Sequence, residues 1–339
     1  MPWTRPLLAG TATAVTIVLA LSSCSGDDDE GPSITVYNAQ HEELLTEIAP
    51  GFTEETGIDV ELRHGDDFEL ANQLVQEGSD SPADVFLTEN SPAMSLVDSE
   101  GLFAPLDART LRQVPAQYAP DNGHWMGFAA RSTVLVYNTD LVSQADLPES
   151  ILELGEPQWR DRIAFSPTGA DFQAIVSAVL ELEGEQVTQQ WLEGLAANGT
   201  VYDGNDVVME SVNSGEVDAG VIYHYYWYRD QQEAGDNSSN SRLHFFDDRD
   251  PGAFVSVSGA GVLESSDSPD DAEQFVAYLA GERGQQDIAD SYALEYPLNP
   301  AVQLDGSVKP FEELEPPRVD LSALNGPQVI DLMQNAGFL

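Results

Sequence analysis

The sequence predicts an α/β protein whose parallel sheets carry helices on both faces. Three observations predict it. Short apolar runs alternate with amphipathic stretches from Ile34 onward, 339 residues suit about two domains at roughly 100 to 200 residues each, and no Pro/Ser/Gly-rich linker parts two halves after residue 33. Two lobes joined by several chain crossings account for the missing linker. No internal repeat is visible.

The elements follow in order. Residues 34–37 read as a strand and a helix begins near His41, where Pro50 kinks or splits the pattern because proline lacks the N–H that a helix ladder needs. A strand follows at 58–62, a helix at 68–77, a buried strand at 84–87 and a short helix at 92–99. Residues 125–137 form a long apolar stretch that is mostly strand. Beyond it come a strand at 162–165, helices at 172–182 and 187–197, a strand at 200–202, a helix at 206–213 and a strand at 219–223.

Charge narrows the function. Thirteen basic against 59 acidic side chains leave a net charge of −46 at pH 7, yet an apolar fraction of 42% is enough to build a core. A field of this sign repels phosphodiester backbones and anionic lipid headgroups, which excludes nucleic acid as a partner and makes cations the natural ones. Lys309 is the single lysine, and every other basic residue is an arginine. A large acid excess with almost no lysine is the balance of a halophile's protein, in which salt screens the carboxylates. Neighbouring Asp/Glu pairs then arise by chance, and no glycosidase pair can be read from them.

Arg5 precedes an uncharged run at 7–21, too short for the about 20 residues of a membrane span but suited to a signal-peptide core. Its ending, Leu21-Ser22-Ser23-Cys24, resembles the lipobox of bacterial lipoproteins, in which the cysteine is lipidated and becomes the mature first residue. Residues 1–23 are therefore expected to be a lipoprotein signal peptide, and 24–32 an acidic tether holding the protein outside the cytoplasmic membrane. Cys24 is the only cysteine, so disulfides, Cys-rich metal sites and a catalytic thiol are excluded.

No GxxxxGKS/T loop, GxSxG elbow, HExxH pair or GxGxxG fingerprint after a strand occurs, which removes the common nucleotide, serine-hydrolase and zincin chemistries. What remains is the run Tyr223-His224-Tyr225-Tyr226-Trp227-Tyr228. Successive strand residues point to opposite faces, so Tyr225 and Tyr226 can face one ligand only where the backbone turns, as at a strand-to-helix junction. Alone, such a cluster reads as core or sugar stacking.

Two further segments change that prior. ITVYNAQHEE at 34–43 is a strand leaving for a helix at His41, and SPADVFLTE at 81–89 is a strand ending in the polar tip of Glu89. Together with HYYW they resemble the ferric-ion-binding proteins of bacterial iron ABC importers. TGIDV at 56–60, GLFAPL at 101–106, VLVYNTD at 134–140 and NSGEV at 213–217 extend the resemblance through nearly the whole chain after the signal, in family order and approximate spacing.

The resemblance implies a two-lobed periplasmic-binding-protein fold of type II, with a doubly wound sheet in each lobe and a ligand cleft between them. Lobe 1 would take 33–131 and 256–306, lobe 2 132–255 and 307–339. It implies a monomeric binding protein, not an enzyme, that captures ferric iron and delivers it to an ABC permease. The family's ligand positions fall on His41, Glu89, Tyr225 and Tyr226. Ferric iron is a hard acid that favours anionic oxygen and accepts imidazole. Glu89 and two tyrosinates balance its charge while neutral His41 adds a fourth donor, and each phenol must give up a proton from a reference pKa near ~10. Relatives fill the two open positions with a synergistic anion such as phosphate or carbonate, held by a Ser-Gly-Ala turn at a helix N-terminus and by an asparagine. Asn205 matches that asparagine. The turn falls on Gly169, Ala170 and Asp171, where the serine hydroxyl is missing and an acid replaces a small residue, so Asp171 either repels a polyanion or fills the pocket itself. Arg131 is the candidate for holding a smaller anion.

Other solutes on the same scaffold (a polyamine, thiamine or an oxyanion) and a secreted hydrolase remain the alternatives. His64, His124, His224 and His244 match no ligand position, and Trp125, Trp159, Trp191 and Trp227 read as core or lobe-surface aromatics. Asp140, Asp206 and the acidic run at 246–250 read as solvated surface. The charge makes a direct prediction. Carboxylate repulsion should relax as the Debye length shrinks from about 10 Å at 0.1 M to about 3 Å at 1 M salt, so urea unfolding midpoints should rise over that range. Midpoints that do not move with KCl contradict this expectation.

Overall fold

The computed structural model describes Met1 and residues 31–304, 306–324 and 326–339; the run at 7–21, Cys24 and tether residues 25–30 lie outside the described residues. The strands are β1 (Ser33–Ala39), β2 (Asp59–His64), β3 (Val85–Thr88), β4 (Met126–Asn138), β5 (Ile163–Phe165), β6 (Thr200–Val201), β7 (Ala219–Tyr223), β8 (Ser241–His244), β9 (Val255–Val262) and β10 (Tyr296–Pro297). The helices are α1 (Glu42–Thr56), α2 (Asp67–Glu77), α3 (Ser91–Ser99), α4 (Ala108–Leu111), α5 (Ala170–Glu183) and α6 (Glu185–Asn198), then α7 (Asn205–Ser214), α8 (His224–Glu233), α9 (Pro269–Ala280), α10 (Glu282–Asp290) and α11 (Gly326–Ala336). Each element expected from the sequence is present within a few residues.

Strand order is β2-β1-β3-β9-β4-β7-β5-β6, with β8 and β10 pairing onto β4. β1 is parallel to β2 and β3, and β5 is parallel to β6 and β7. The all-parallel expectation fails at β4 and β9: β9 is antiparallel to β3, and β4 is antiparallel to both β9 and β7. The reason lies in the crossings. β4 has 13 residues, about twice the usual strand length; its residues 126–132 pair with β9, whereas 133–138 pair with β7 and β8. One strand carries the chain from the first half of the sheet to the second, and the other brings it back. Thr133 N–H donates to the Phe254 carbonyl at 3.0 Å where the two cross.

Side-chain alternation covers the second half on both faces. Leu135, Ile163, Phe165, Val221 and Tyr223 face one cluster with Phe172 and Trp191, while Val134, Val136, Ala164 and Ile222 face another with Val208 and Val212. The first half has its own core around Val36, Phe86, Trp125, Met126 and Phe275. Trp125, Trp159 and Trp191 are buried, and half-buried Trp227 donates its indole N–H to Ser241 Oγ at 3.1 Å.

Pro50 does not split α1: Glu42–Thr56 is one continuous helix. Leu44, Leu45, Ile48 and Phe52 are buried on both sides of the proline, and their burial, at about 1.5–3 kcal/mol each, exceeds the ~3 kcal/mol that an internal proline costs. Gly57 ends the helix at φ 77°, its N–H bonded to the Thr53 carbonyl at 2.8 Å. The run at 246–250 is only partly solvated. Phe246 is buried, and Asp250 accepts from the N–H groups of Gly252 at 2.7 Å and Ile151 at 3.0 Å. Asp140 and Asp206 are exposed, as expected. No helix among the described residues is long and apolar enough to cross a membrane.

Candidate metal centre

Four strand ends converge. β1 yields to α1 at His41, β3 to α3 at Glu89 and Asn90, β5 leads to α5 at Asp171, and β7 yields to α8 at Tyr225 and Tyr226. These are the carboxyl ends of parallel strands, where α/β sheets place ligands. The turn required by two adjacent tyrosines is present: Tyr223 is the extended residue before α8 (φ −89°, ψ 154°), so Tyr225 and Tyr226 share its first turn with rings stacked at 4.3 Å.

The structure brings His41, Glu89, Tyr225 and Tyr226 together. His41 Nε2 lies 3.6 Å from Glu89 Oε1, and the Tyr225 hydroxyl donates to the same oxygen at 3.3 Å. The His41 and Tyr225 rings meet edge to face at 5.6 Å. Tyr226 extends the group to Asp171, donating to Oδ2 at 3.1 Å; Asn205 Nδ2 donates to the same oxygen at 2.8 Å and Asn90 Nδ2 to Oδ1 at 3.2 Å. Gly169 and Ala170 open α5, as expected of the turn, and the Asp171 carboxylate is buried among these donors.

Arg131 lies in β4 one residue before the crossing and is fully buried. One terminal nitrogen meets the Glu89 carbonyl and stands 3.3 Å from Glu89 Oε1. The other donates to Glu295 Oε2 at 2.6 Å and Ser258 Oγ at 2.7 Å. Its terminal nitrogens are thus engaged by protein oxygens.

Burial sets the electrostatics. Burial and the nearby Glu89 charge push the Asp171 carboxyl up to about 7. Burial and the Asp171 charge hold both Tyr225 and Tyr226 well above the ordinary phenol value. Burial also raises Glu295, but the Arg131 guanidinium and His41 overcome it and hold that carboxyl at about 2. Among the described residues no group of three or more His, Cys, Asp or Glu side chains is arranged to hold a metal ion; the cluster here takes two of its donors from tyrosine. Packed as it is, it has more acidic than basic groups, and a multivalent cation is the species that would relieve it.

Four neighbours escaped the sequence reading. Asp67 is buried and accepts the Glu89 N–H at 2.8 Å and the Asn90 N–H at 2.9 Å, which fixes the loop carrying Glu89. From sequence it reads as a helix-start acid. Asn90 Oδ1 accepts from Ser256 Oγ at 2.9 Å and the Tyr223 hydroxyl at 3.3 Å, so Asn90 and Tyr223 lock the floor beneath Asp171. Glu295 has one sequence signal, an acid between Leu294 and Tyr296-Pro297. His224 is no ordinary residue either. Its Nε2 donates to the Leu294 carbonyl at 3.1 Å, its Nδ1 accepts the Ser132 N–H at 3.2 Å, and its ring stacks on Tyr296 at 4.4 Å. Burial lowers it to about 3, keeping it neutral. His64, His124 and His244 bond instead to Asn38, Asp98 and the Pro148 carbonyl.

The sequence pattern of the bacterial extracellular solute-binding protein family matches residues 80–315. The chain is 52% identical to the Fe(3+)-binding periplasmic protein of Serratia marcescens over 326 residues, 96% of each chain. It is 39% identical to the major ferric iron-binding protein of Neisseria meningitidis serogroup B over 334 residues, 98% of this chain and 97% of that one. Among solved structures it is similar to iron-bound HitA from Pseudomonas aeruginosa, with a TM-score of 0.84 and 42% identity over 91% of this chain and 100% of that one. With its type II periplasmic-binding-protein fold, the chain belongs to the bacterial extracellular solute-binding proteins, among the ferric iron-binding proteins of bacterial iron(III) ABC importers rather than among enzymes.

Proposed function

We propose that this protein captures ferric iron between its two lobes and hands it to an ABC permease, and that Asp171 takes the place of a free anion in the iron's coordination. The observation that carries this reading is the gathering of His41 Nε2 with the oxygens of Glu89, Tyr225, Tyr226 and Asp171 in one largely buried cluster. His41 and Glu89 come from lobe 1 (33–131 and 256–306), the tyrosines and Asp171 from lobe 2 (132–255 and 307–339). The change of sheet partners within β4 after Ser132 supports that division, and hinge motion at the crossings would open and close the site.

The charge favours a protein-only shell. Glu89, Asp171 and two tyrosinates already exceed the charge of ferric iron by one, and Arg131 is matched by Glu295. A further polyanion would deepen that excess next to Asp171. Carbonate is disfavoured for a second reason: Arg131, its candidate holder, is engaged by Glu89, Ser258 and Glu295. Hard oxygen donors suit the ion, and its binding drives off both phenol protons. The Leu-Ser-Ser-Cys ending and acidic tether support anchoring through lipid on Cys24, outside the membrane.

Two measurements test this. Tyr225→Phe and Tyr226→Phe each remove one hydroxyl and one anionic donor. Each should weaken ferric binding by more than the roughly 10–100-fold typical of changes outside the coordination shell, and shift or abolish the tyrosinate-to-iron visible band. His41→Ala removes a neutral donor that water replaces and should cost less. Parent-like binding by both phenylalanine variants would remove the assigned site. The second measurement concerns Asp171 in the iron-free protein. Its folded value of about 7 stands above its ordinary value of 3.8, so the folded state holds the proton more tightly. Stability from this group is complete below about pH 4 and is lost as pH rises through 7, by a few kcal/mol. Asp171→Asn should flatten the fall in urea midpoint between pH 5 and pH 8. An unchanged slope contradicts the assignment.

A further inference from the structure

We infer that Arg229 and Tyr292 form a latch that holds the two halves of the molecule closed over the site and sets how long iron stays bound. The inference rests on the interlobe ferric site proposed above and adds a pair of residues outside its ligand set.

The pair faces across the division between the halves. Arg229 lies on α8, which follows β7 in the second half, whereas Tyr292 lies between α10 and β10 and packs on the core of the first half. Arg229 Cζ stands 4.8 Å from the centre of the Tyr292 ring, inside the about 6 Å over which an aromatic face attracts a cation. Both side chains are half-buried. The chain carries 59 acidic residues, yet the Arg229 side chain makes no hydrogen bond or ion pair among the described residues; the ring of the other half is what it meets.

Position ties this contact to the site. Arg229 follows Tyr225 by four residues and Tyr226 by three, so all three share one face of α8, with Arg229 one turn, about 5.4 Å, farther along. Tyr292 precedes Glu295 by three residues, and Glu295 Oε1 stands 3.2 Å from His41 Nδ1. Hinge motion that carries the tyrosines away from His41 and Glu89 therefore also carries Arg229 away from Tyr292.

Charge explains why closure needs a latch. Beside Arg229, burial raises the Asp206 carboxyl, the Arg229 charge pulls it back, and Asp230 and Glu233 push it up again. Across the division, burial pushes the Tyr292 phenol up to about 12 against the pull of Arg229, and Glu43, Glu295 and Glu47 add to the rise. Closing the cleft thus brings Asp206, Asp230 and Glu233 of one half towards Glu43 and Glu47 of the other, and like charges oppose it. Arg229 acts on both groups and is the cation that offsets this repulsion.

The test follows release of ferric ion from the loaded protein into excess competing chelator, read as decay of the tyrosinate-to-iron visible band. We expect Arg229→Gln and Tyr292→Leu each to speed release about 2- to 5-fold at 0.1 M KCl without moving the band, because neither removes a coordinating atom. The effect of Arg229→Gln should shrink at 1 M KCl, where charges on the two halves are screened. Arg229→Lys keeps the cation and should restore most of the parent rate. The double variant should release iron hardly faster than Arg229→Gln alone, since the first change already breaks the contact.

Parent-like release by Arg229→Gln overturns the inference, as does a gain that is the same at both salt concentrations. Additive losses in the double variant, or Arg229→Lys releasing as fast as Arg229→Gln, overturn it as well. A band that shifts in either single variant places the effect in the coordination shell and overturns the latch. Failure of the ferric site itself would instead appear as a parent protein with no visible band.

Discussion

The buried guanidinium of Arg131 is the interaction on which the rest of this structure depends. It sits in β4 just before the chain passes to the second half of the sheet, and it meets the loop after β3 through Glu89 and the segment before β10 through Glu295. Its charge also lies 5.9 Å from the ring centres of Tyr223 and Tyr225. Taking an ion pair out of water is costly, and removing one partner of a buried pair typically costs about 3–5 kcal/mol. Arg131 therefore makes several acidic groups tolerable in one dry place and holds them at the crossing between the halves.

That arrangement accounts for the choice of cargo. One fixed cation cannot balance Glu89, Asp171 and Glu295 together with two phenols, and burial raises the cost of every further negative charge. The iron-free cluster meets this cost by keeping protons on the tyrosines and, near neutrality, partly on Asp171. A small trivalent ion can replace those protons, and few other solutes offer enough charge in so little volume. In the proposed site, selectivity would come from the energy of this unbalanced cluster, with hard oxygen donors and a single imidazole matched to ferric iron.

Much of this was legible in the sequence, for physical reasons. Strands and helices have different apolar periods, and residues such as Val36, Phe86 and Val221 sit where those periods place them. The four proposed ligand positions could be picked out, and the structure brings their side chains together, because HYYW, NAQHEE and SPADVFLTE are local segments with a recognisable order. Long-range features were less accessible. Nothing in a βα succession announces that β4 and β9 cross antiparallel, since strand direction depends on partners far along the chain. Pro50 reads as a breaker until the apolar residues on either side of it are packed. Arg131 looks like an anion holder and Glu295 looks like one more acid among 59 acidic residues, because an ion pair 164 positions apart leaves no local mark. His224 looked idle for the same reason: its partners, Ser132 and Leu294, are remote.

The central claim is that the protein supplies its own anion through Asp171, and a ferric titration in phosphate-free and carbonate-free buffer tests it most directly. The account predicts stoichiometric uptake with the full tyrosinate-to-iron visible band, and no change in band or affinity when phosphate or carbonate is restored. A band that appears only after one of these anions is added would contradict it.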